Sequence, residues 1–188
     1  MTCTISKGRL ELCKDSIGGI KKVFFINAGA NVVVSSDIIT DINDGAGTPG
    51  AISVYQYDTK DVSNFVETGT SSRETGTSFW EQVLSLTLKQ MNSSTRKELK
   101  IMAFGSYRIV IMDNNNNLFM MGKDRGCDVT GGTIVTGTAL GDLSGYTLTL
   151  TGREAQPANF LFTTATNPAA TGYPFDKMTT VPTIVVGT

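Results

Sequence analysis

Hydrophobic and polar residues alternate along several short segments of the chain, which is the pattern of half-buried β-strands. The clearest case is YTLTLT at residues 146–151, where one face belongs to a core and the threonine face meets water or a neighbouring subunit. ISVYQYD at 52–58 alternates in the same way. IKKVFFINA at 20–28 and NVVVSS at 31–36 are rich in β-branched and aromatic residues, which favour strands.

The run FWEQVLSLTLKQM at residues 79–91 also alternates, with Trp80 and three leucines on one side. We interpret it as a strand. Trp80, Val83 and Leu84 fit a helical stripe as well, so a helix stays open as the alternative at this point.

A β-hairpin is predicted for YRIVIMDNNNNLFMMG at residues 107–122. Two short apolar blocks flank four asparagines, and asparagine favours turns because it tolerates positive φ and bonds its own backbone. If the hairpin is a stave of a ring-shaped assembly, we expect its asparagine tip at the rim, solvated by water.

One α-helix is marked by the segment STRKELKIMAFG, and we place it at about residues 94–104. Thr95 and Glu98 have the spacing of a capping box. Leu99 and Met102 continue as an apolar stripe, and Gly105 stands where a glycine commonly ends a helix. Such a short helix with one apolar stripe is expected to lie on a sheet.

Loops and an extended arm complete the expected fold. Residues 41–51 are a loop by composition, and residues 66–78 are a long flexible loop or a hairpin tip. Residues 153–188 carry four of the five prolines and predict an extended C-terminal arm, ending in a short strand at TIVVG. The fold class is therefore mainly β (α+β), in a single domain over residues 1–188.

Composition changes this picture little. The 188 residues include 16 Lys and Arg against 17 Asp and Glu, so the net charge of −1 gives no general attraction to nucleic acid or acidic membranes. No apolar run approaches the roughly 18–20 residues that span a bilayer. The first residues lack a continuous apolar stretch, so we expect no secretory signal and folding in a cytosol.

The residue types for common catalytic sites are missing or scattered. Histidine is absent, which removes serine–histidine and cysteine–histidine catalysis. Cys3, Cys13 and Cys127 show no metal-binding spacing and predict free thiols. Glycine-rich and acidic loops match neither a phosphate-binding loop nor a calcium loop. We expect no enzyme, no cofactor and no metal; an enzyme using a pair of acids, such as a glycan hydrolase, is the remote alternative.

The long loops and the arm point to assembly. We expect that such segments bury little on their own chain, and that a partner subunit offsets the entropy of ordering them. Open sheet edges invite pairing between subunits, and a ring would close them into a barrel.

Two parts of the chain carry a resemblance to a known family. They are CKDSIGGIKKVFFIN at residues 13–27 and the stretch from STRKELK to GREAQPA at residues 94–158, and together they cover about half of the chain. These parts resemble virion structural proteins of tailed phages that infect Bacteroidota, the crAss-like phages and their relatives. Residues 28–78 and those after 158 do not match. Arg153 departs from the family's pattern, which has an apolar or neutral residue there.

The resemblance implies a tail-tube-like β-sandwich or barrel with a flanking helix. It implies a tail tube or tail hub subunit whose rings, often hexameric, stack into a channel for genome delivery. DNA would pass without specific binding, the neighbours would be other tail or neck proteins, and no membrane would be involved. The protein would belong to the virion tail and assemble in the host cytoplasm. A capsid-decorating or receptor-binding β domain, whose Tyr55, Tyr57 and Trp80 contact glycan, is the alternative.

A ring would place its subunit contacts in the loops and the arm. Its lumen should be polar and not strongly basic, because tight phosphate binding would slow transit. The residues that we expect at subunit interfaces are Asp44, Gly47, Val66, Thr70, Arg73, Glu74, Tyr173 and Phe175.

Overall fold

The computed structural model describes residues 8–10, 14, 16–59, 63–161, 168 and 170–187. These residues form twelve β-strands and one α-helix. The elements are β1 (Ile20–Asn27), β2 (Asn31–Ser35), β3 (Ile38–Asn43), β4 (Ser53–Asp58), β5 (Asn64–Ser72), β6 (Thr77–Lys89), α1 (Ser93–Met102), β7 (Tyr107–Asp113), β8 (Leu118–Met121), β9 (Cys127–Val135), β10 (Gly145–Glu154), β11 (Asn159–Leu161) and β12 (Thr183–Val186). The fold is mainly β with one flanking helix, which confirms the predicted class.

The strands form one hydrogen-bonded system that divides into two parts. The larger part, here called sheet I, has the order β12-β4-β1-β7-β8-β11-β3-β2. The smaller part, sheet II, has the order β9-β10-β6-β5 and is antiparallel throughout. The two parts meet at the pair Tyr107–Cys127, between β7 and β9.

The first core lies between the two sheets. Phe25 of β1 and Ile109 of β7 pack in the same cluster as Leu84 of β6 and Leu150 of β10. Met102 of α1 packs at this core as well. The alternation in the sequence has this origin, because each strand of sheet II gives one face to the core and the other to solvent.

A second core covers the opposite face of β1, β7 and β8. It contains Phe24, Val110 and Met112, together with Phe175 and Met178 from the C-terminal part of the chain. The central strands are therefore buried on both faces, which explains why they are continuous hydrophobic runs without alternation.

The C-terminal residues pack against the chain's own sheet, contrary to the expectation that they need a partner subunit. β10 extends to Glu154, and β11 and β12 pair in parallel with β3 and β4. The ring of Phe175 is fully buried with its edge against Phe24, at a centroid distance of 5.1 Å. Apolar side chains in this segment supply enough burial to hold it, since a buried aromatic side chain stabilises by roughly 1.5–3 kcal/mol.

Two predicted loops are shorter in the structure. Asp41, Ile42 and Asn43 of the first belong to β3, so that loop begins at Asp44. Most of residues 66–78 lies in the hairpin of β5 and β6, and the turn is confined to residues 73–76. The hairpin interpretation of this segment is confirmed, as is the strand interpretation of residues 79–89 over the helix.

The helix begins earlier than predicted. Its N-cap is Asn92, whose side-chain oxygen accepts a hydrogen bond from Ser94 N at 3.0 Å. The predicted capping box at Thr95 is therefore wrong, because asparagine is among the best N-cap residues and precedes it in the chain. Gly105 does not act as a left-handed helix cap. It leaves room for the ring of Tyr107, with which a side chain at this position would collide.

The predicted asparagine hairpin is confirmed, with a turn at residues 114–117 between β7 and β8. Its tip is exposed, and its asparagines hydrogen-bond to the chain's own N-terminal segment. The Asn115 side chain accepts from Ile17 N and donates to Ile17 O, both at 2.9 Å. Asn114 donates to Gly18 O at 2.7 Å, and Lys21 Nζ donates to Asn116 Oδ1 at 3.1 Å. The tip thus holds the backbone that leads into β1.

Candidate functional site: a threonine-lined sheet with two open edges

The face of sheet II that points away from the first core carries many hydroxyl groups, together with the apolar side chains of Val66, Phe79, Val83 and Val135. Alternate residues of each strand reach it, because successive side chains of a strand point to opposite faces. The register places Thr147 beside Thr87 and Thr133, and Thr149 beside Ser85. The hydroxyl residues of this face are Ser85 and Thr87 on β6, Thr147, Thr149 and Thr151 on β10, Thr130 and Thr133 on β9, and Thr68 and Thr70 on β5.

Some of these hydroxyls bond one another across the strands. The Thr130 and Thr151 hydroxyls are 2.9 Å apart, and the hydroxyls of Thr133 and Thr147 are also hydrogen-bonded. Such cross-strand threonine pairs stabilise an antiparallel ladder while leaving a polar, uncharged surface.

The charges on this face balance. Glu81 and Arg153 form an ion pair at 2.9 Å between β6 and β10, in which Arg153 Nε donates to the same carboxylate oxygen at 3.0 Å. The register places Asp128 and Lys89 on this face too, which gives two acids and two bases. Arg153 therefore has its charge partner on the adjacent strand.

The outer strands of sheet II each have a side without a strand partner among the described residues. β5 pairs with β6 alone, and β9 pairs with β10 and with β7 only at Cys127. Val66 of β5 and Ile134 of β9 are exposed by 48% and 56%. An open edge with exposed apolar side chains is a template for pairing with another chain.

A second surface feature is a groove of about 880 Å³ between α1 and the strands β4 and β12. Tyr57 and Tyr107 line it, and so do Glu98 and Ile101 of α1. Burial raises the pKa of Tyr57, and the nearby Glu98 carboxylate adds to the rise. The pKa of Tyr107 is raised by the same two causes.

The aromatic residues considered for glycan contact have different environments. Tyr57 is half-buried, and its ring meets that of Phe25 edge to face at a centroid distance of 5.1 Å. The half-buried Trp80 lies over Gly69. Tyr55 remains exposed by 39%. Two of the three rings therefore serve packing within the chain.

Among the predicted interface residues, four lie together on the β5–β6 hairpin. Val66 and Thr70 are on the open edge, and Arg73 and Glu74 are exposed in its turn. The sequence identified this hairpin by its polar, glycine-containing tip.

The remaining predicted interface residues divide between a loop and the second core. In the loop, Gly47 has a positive φ of 74°, and Asp44 accepts from Thr48 N and Ala46 N. Those backbone hydrogen bonds, that from Thr48 foremost, lower the pKa of Asp44. Tyr173 is half-buried against the second core. Phe175 is fully buried and offers no surface to a partner, so it leaves the predicted set.

Sequence reasoning missed two features of these surfaces. The hydroxyls of β9 were hidden because Gly131 and Gly132 interrupt the alternation. The groove was missed because Tyr57, Glu98 and Tyr107 come from three separate elements. In the sequence, only the alternating threonines at 147–151 indicated the hydroxyl-bearing face of sheet II.

Other chemistry has little support in the described part of the chain. No three histidine, cysteine, aspartate or glutamate side chains there are grouped to hold a metal ion. Cys127 is a fully buried thiol whose pKa is raised by desolvation. The only helix found in the described residues is too short to cross a membrane.

The fold defines a two-sheet β protein in which one sheet has open edges and a neutral, hydroxyl-lined face. No protein-family model, curated protein or solved structure matches this chain.

Proposed function

We propose that the chain is a phage virion structural subunit, of the tail tube or of a hub or ring, that assembles into rings around a channel for genome delivery. The observation that carries the proposal is the hydroxyl-lined face of sheet II between its two open edges. The resemblance of residues 13–27 and 94–158 to virion structural proteins of tailed phages supports a tail assembly in particular.

Pairing of sheet II between neighbouring copies gives the ring. β5 of one copy and β9 of the next would extend the sheet by one subunit at a time until it closes, and closure removes every edge of that sheet. The apolar face of sheet II is already covered by sheet I, so the hydroxyl face is the one left to line the channel.

The proposed lumen suits the passage of DNA. Phosphates bind through lysine and arginine, and each such contact strengthens association. On the hydroxyl face, Arg153 is paired with Glu81, and acids and bases are equal in number. A face that carries hydroxyls and balanced charges binds phosphate weakly, so DNA would slide along it.

The proposal is tested by Val66→Lys, which puts a charge on the open edge of β5. We expect the unchanged protein to form rings in negative-stain micrographs and to grow with concentration in sedimentation velocity. Val66→Lys should form no rings, and its thermal unfolding should be nearly unchanged, since surface substitutions usually stay within about 0.5 kcal/mol. Monomers of the unchanged protein at every concentration would refute the proposal.

Val33→Lys is the matched control. Val33 lies on another outer strand, β2, and is exposed by 39%, close to the 48% of Val66. The same substitution there should leave the rings intact, because β2 belongs to sheet I and takes no part in closing sheet II.

A capsid-decorating or receptor-binding domain that contacts glycan is less well supported. Such a site needs several exposed rings, whereas of the three considered only Tyr55 is exposed, by 39%, and Trp80 packs over Gly69.

A further inference from the structure

The β5–β6 hairpin extends beyond its neighbours. Pairing of β6 with β10 ends at Trp80, whereas β5 and β6 continue to pair up to Ser72 and Thr77. The turn that follows is held by its own hydrogen bonds, with the hydroxyls of Thr75 and Thr77 at 2.7 Å. It is an ordered projection that carries the exposed residues Arg73 and Glu74.

The groove beside α1 lies at the other end of the same strand. β6 begins at Thr77, next to the turn, and ends at Lys89, which lines the groove. Thirteen residues of extended chain span about 40 Å. Projection and groove therefore occupy opposite ends of sheet II, which is the arrangement that head-to-tail contact between identical copies requires.

The groove has the chemistry to receive an arginine side chain. Its wall combines Tyr57 and Tyr107 with the exposed carboxylate of Glu98. A guanidinium group stacks on aromatic rings and pairs with a carboxylate at the same time. Neither Glu98 nor Arg73 has an ion-pair partner among the described residues.

We propose that the groove receives the β5–β6 turn of a second copy, with Arg73 of the turn against Glu98 of the groove. This inference rests on the proposed function and adds the contact that joins one ring to the next.

The test is a pair of charge reversals, Arg73→Glu and Glu98→Arg, in the Val66→Lys background, where lateral pairing is blocked. Sedimentation velocity over a concentration series measures the head-to-tail association. Each reversal alone should weaken it by about tenfold or more. An equimolar mixture of the two should recover it, because the original pair and the reversed pair both form between unlike chains.

Arg96→Glu is the matched control, since it makes the same charge change at an exposed position of α1 that does not line the groove. It should leave association unchanged. Reversals without effect, a mixture that fails to recover association, or Val66→Lys protein that stays monomeric up to its solubility limit would each overturn the inference. Rings of the unchanged protein that never stack would overturn it while leaving the proposed function standing.

Discussion

Phe175→Ala should cost the protein several kcal/mol of stability, although the residue lies in a segment that reads as a solvent-exposed arm. Phe175 is fully buried, and its ring meets that of Phe24 at 5.1 Å with an interplanar angle of 78°. Truncation of a buried phenylalanine to alanine costs about 3–5 kcal/mol, which includes the cavity left behind. The lost edge-to-face contact accounts for about 0.5–1.5 kcal/mol of that.

The assay is equilibrium unfolding in guanidinium chloride, with thermal unfolding beside it. For a chain of this length, each 1 kcal/mol shifts Tm by about 2–4 °C, so we expect a fall of about 6–20 °C. Since natural domains are stable by only about 5–15 kcal/mol, the loss is a large share of the total.

Phe104→Ala is the comparison, because Phe104 has the same side chain but is exposed by 87%. It should change the free energy of unfolding by less than about 0.5 kcal/mol. If Phe175→Ala were as mild as Phe104→Ala, the C-terminal residues would not be docked on the second core, and the account of the fold given above would fail.

Three further predictions follow from individual contacts. Asn115→Ala removes two hydrogen bonds to Ile17 and should cost about 1–2 kcal/mol, with faster amide exchange at Ile17; unchanged exchange would show that the tip does not hold this segment. Burial alone would raise the pKa of Asp41, but hydrogen bonds from Asn43 and Thr180 lower it below 3.8. The ionised carboxylate of Asp41 therefore stabilises the protein above pH 3.8, and this contribution is lost as the pH falls through the lower pKa of the folded protein. Asp41→Asn should lower the free energy of unfolding at pH 7 and approach the unchanged protein in acid. The same loss of unfolding free energy at both pH values would contradict this. Because burial raises the pKa of the Cys127 thiol, alkylation mapped by mass spectrometry should reach Cys127 only after unfolding.

The sequence was most informative where neighbouring residues determine structure. Alternation at 146–151 identified β10, and the asparagine run identified the turn between β7 and β8. The helix was found, but its start was missed, because the capping-box spacing of Thr95 and Glu98 indicated a later N-cap than Asn92, which caps the helix.

Long-range pairing was the part that local pattern could not supply. β11 pairs with β3 in parallel, with Phe160 beside Ile38, and the sequence of neither segment indicates the other as its partner. The docking of Phe175 was missed for the same reason, since prolines and small residues around it suggested an extended arm. The candidate site was half predicted: the threonines of β10 were recognised, whereas their partners on β9 and the groove depend on register and on contacts between distant elements.

The second core has a consequence for how the protein is made. Phe24 and Val110 leave the ribosome well before Phe175 and Met178, which cover them. Until Phe175 and Met178 emerge, the nascent chain exposes one hydrophobic face of its central strands, and such surfaces are prone to aggregation. If translation stalls after the central strands but before Phe175, the product keeps this hydrophobic face exposed to solvent. A cell producing many copies therefore needs either rapid completion of the chain or a chaperone that covers this face.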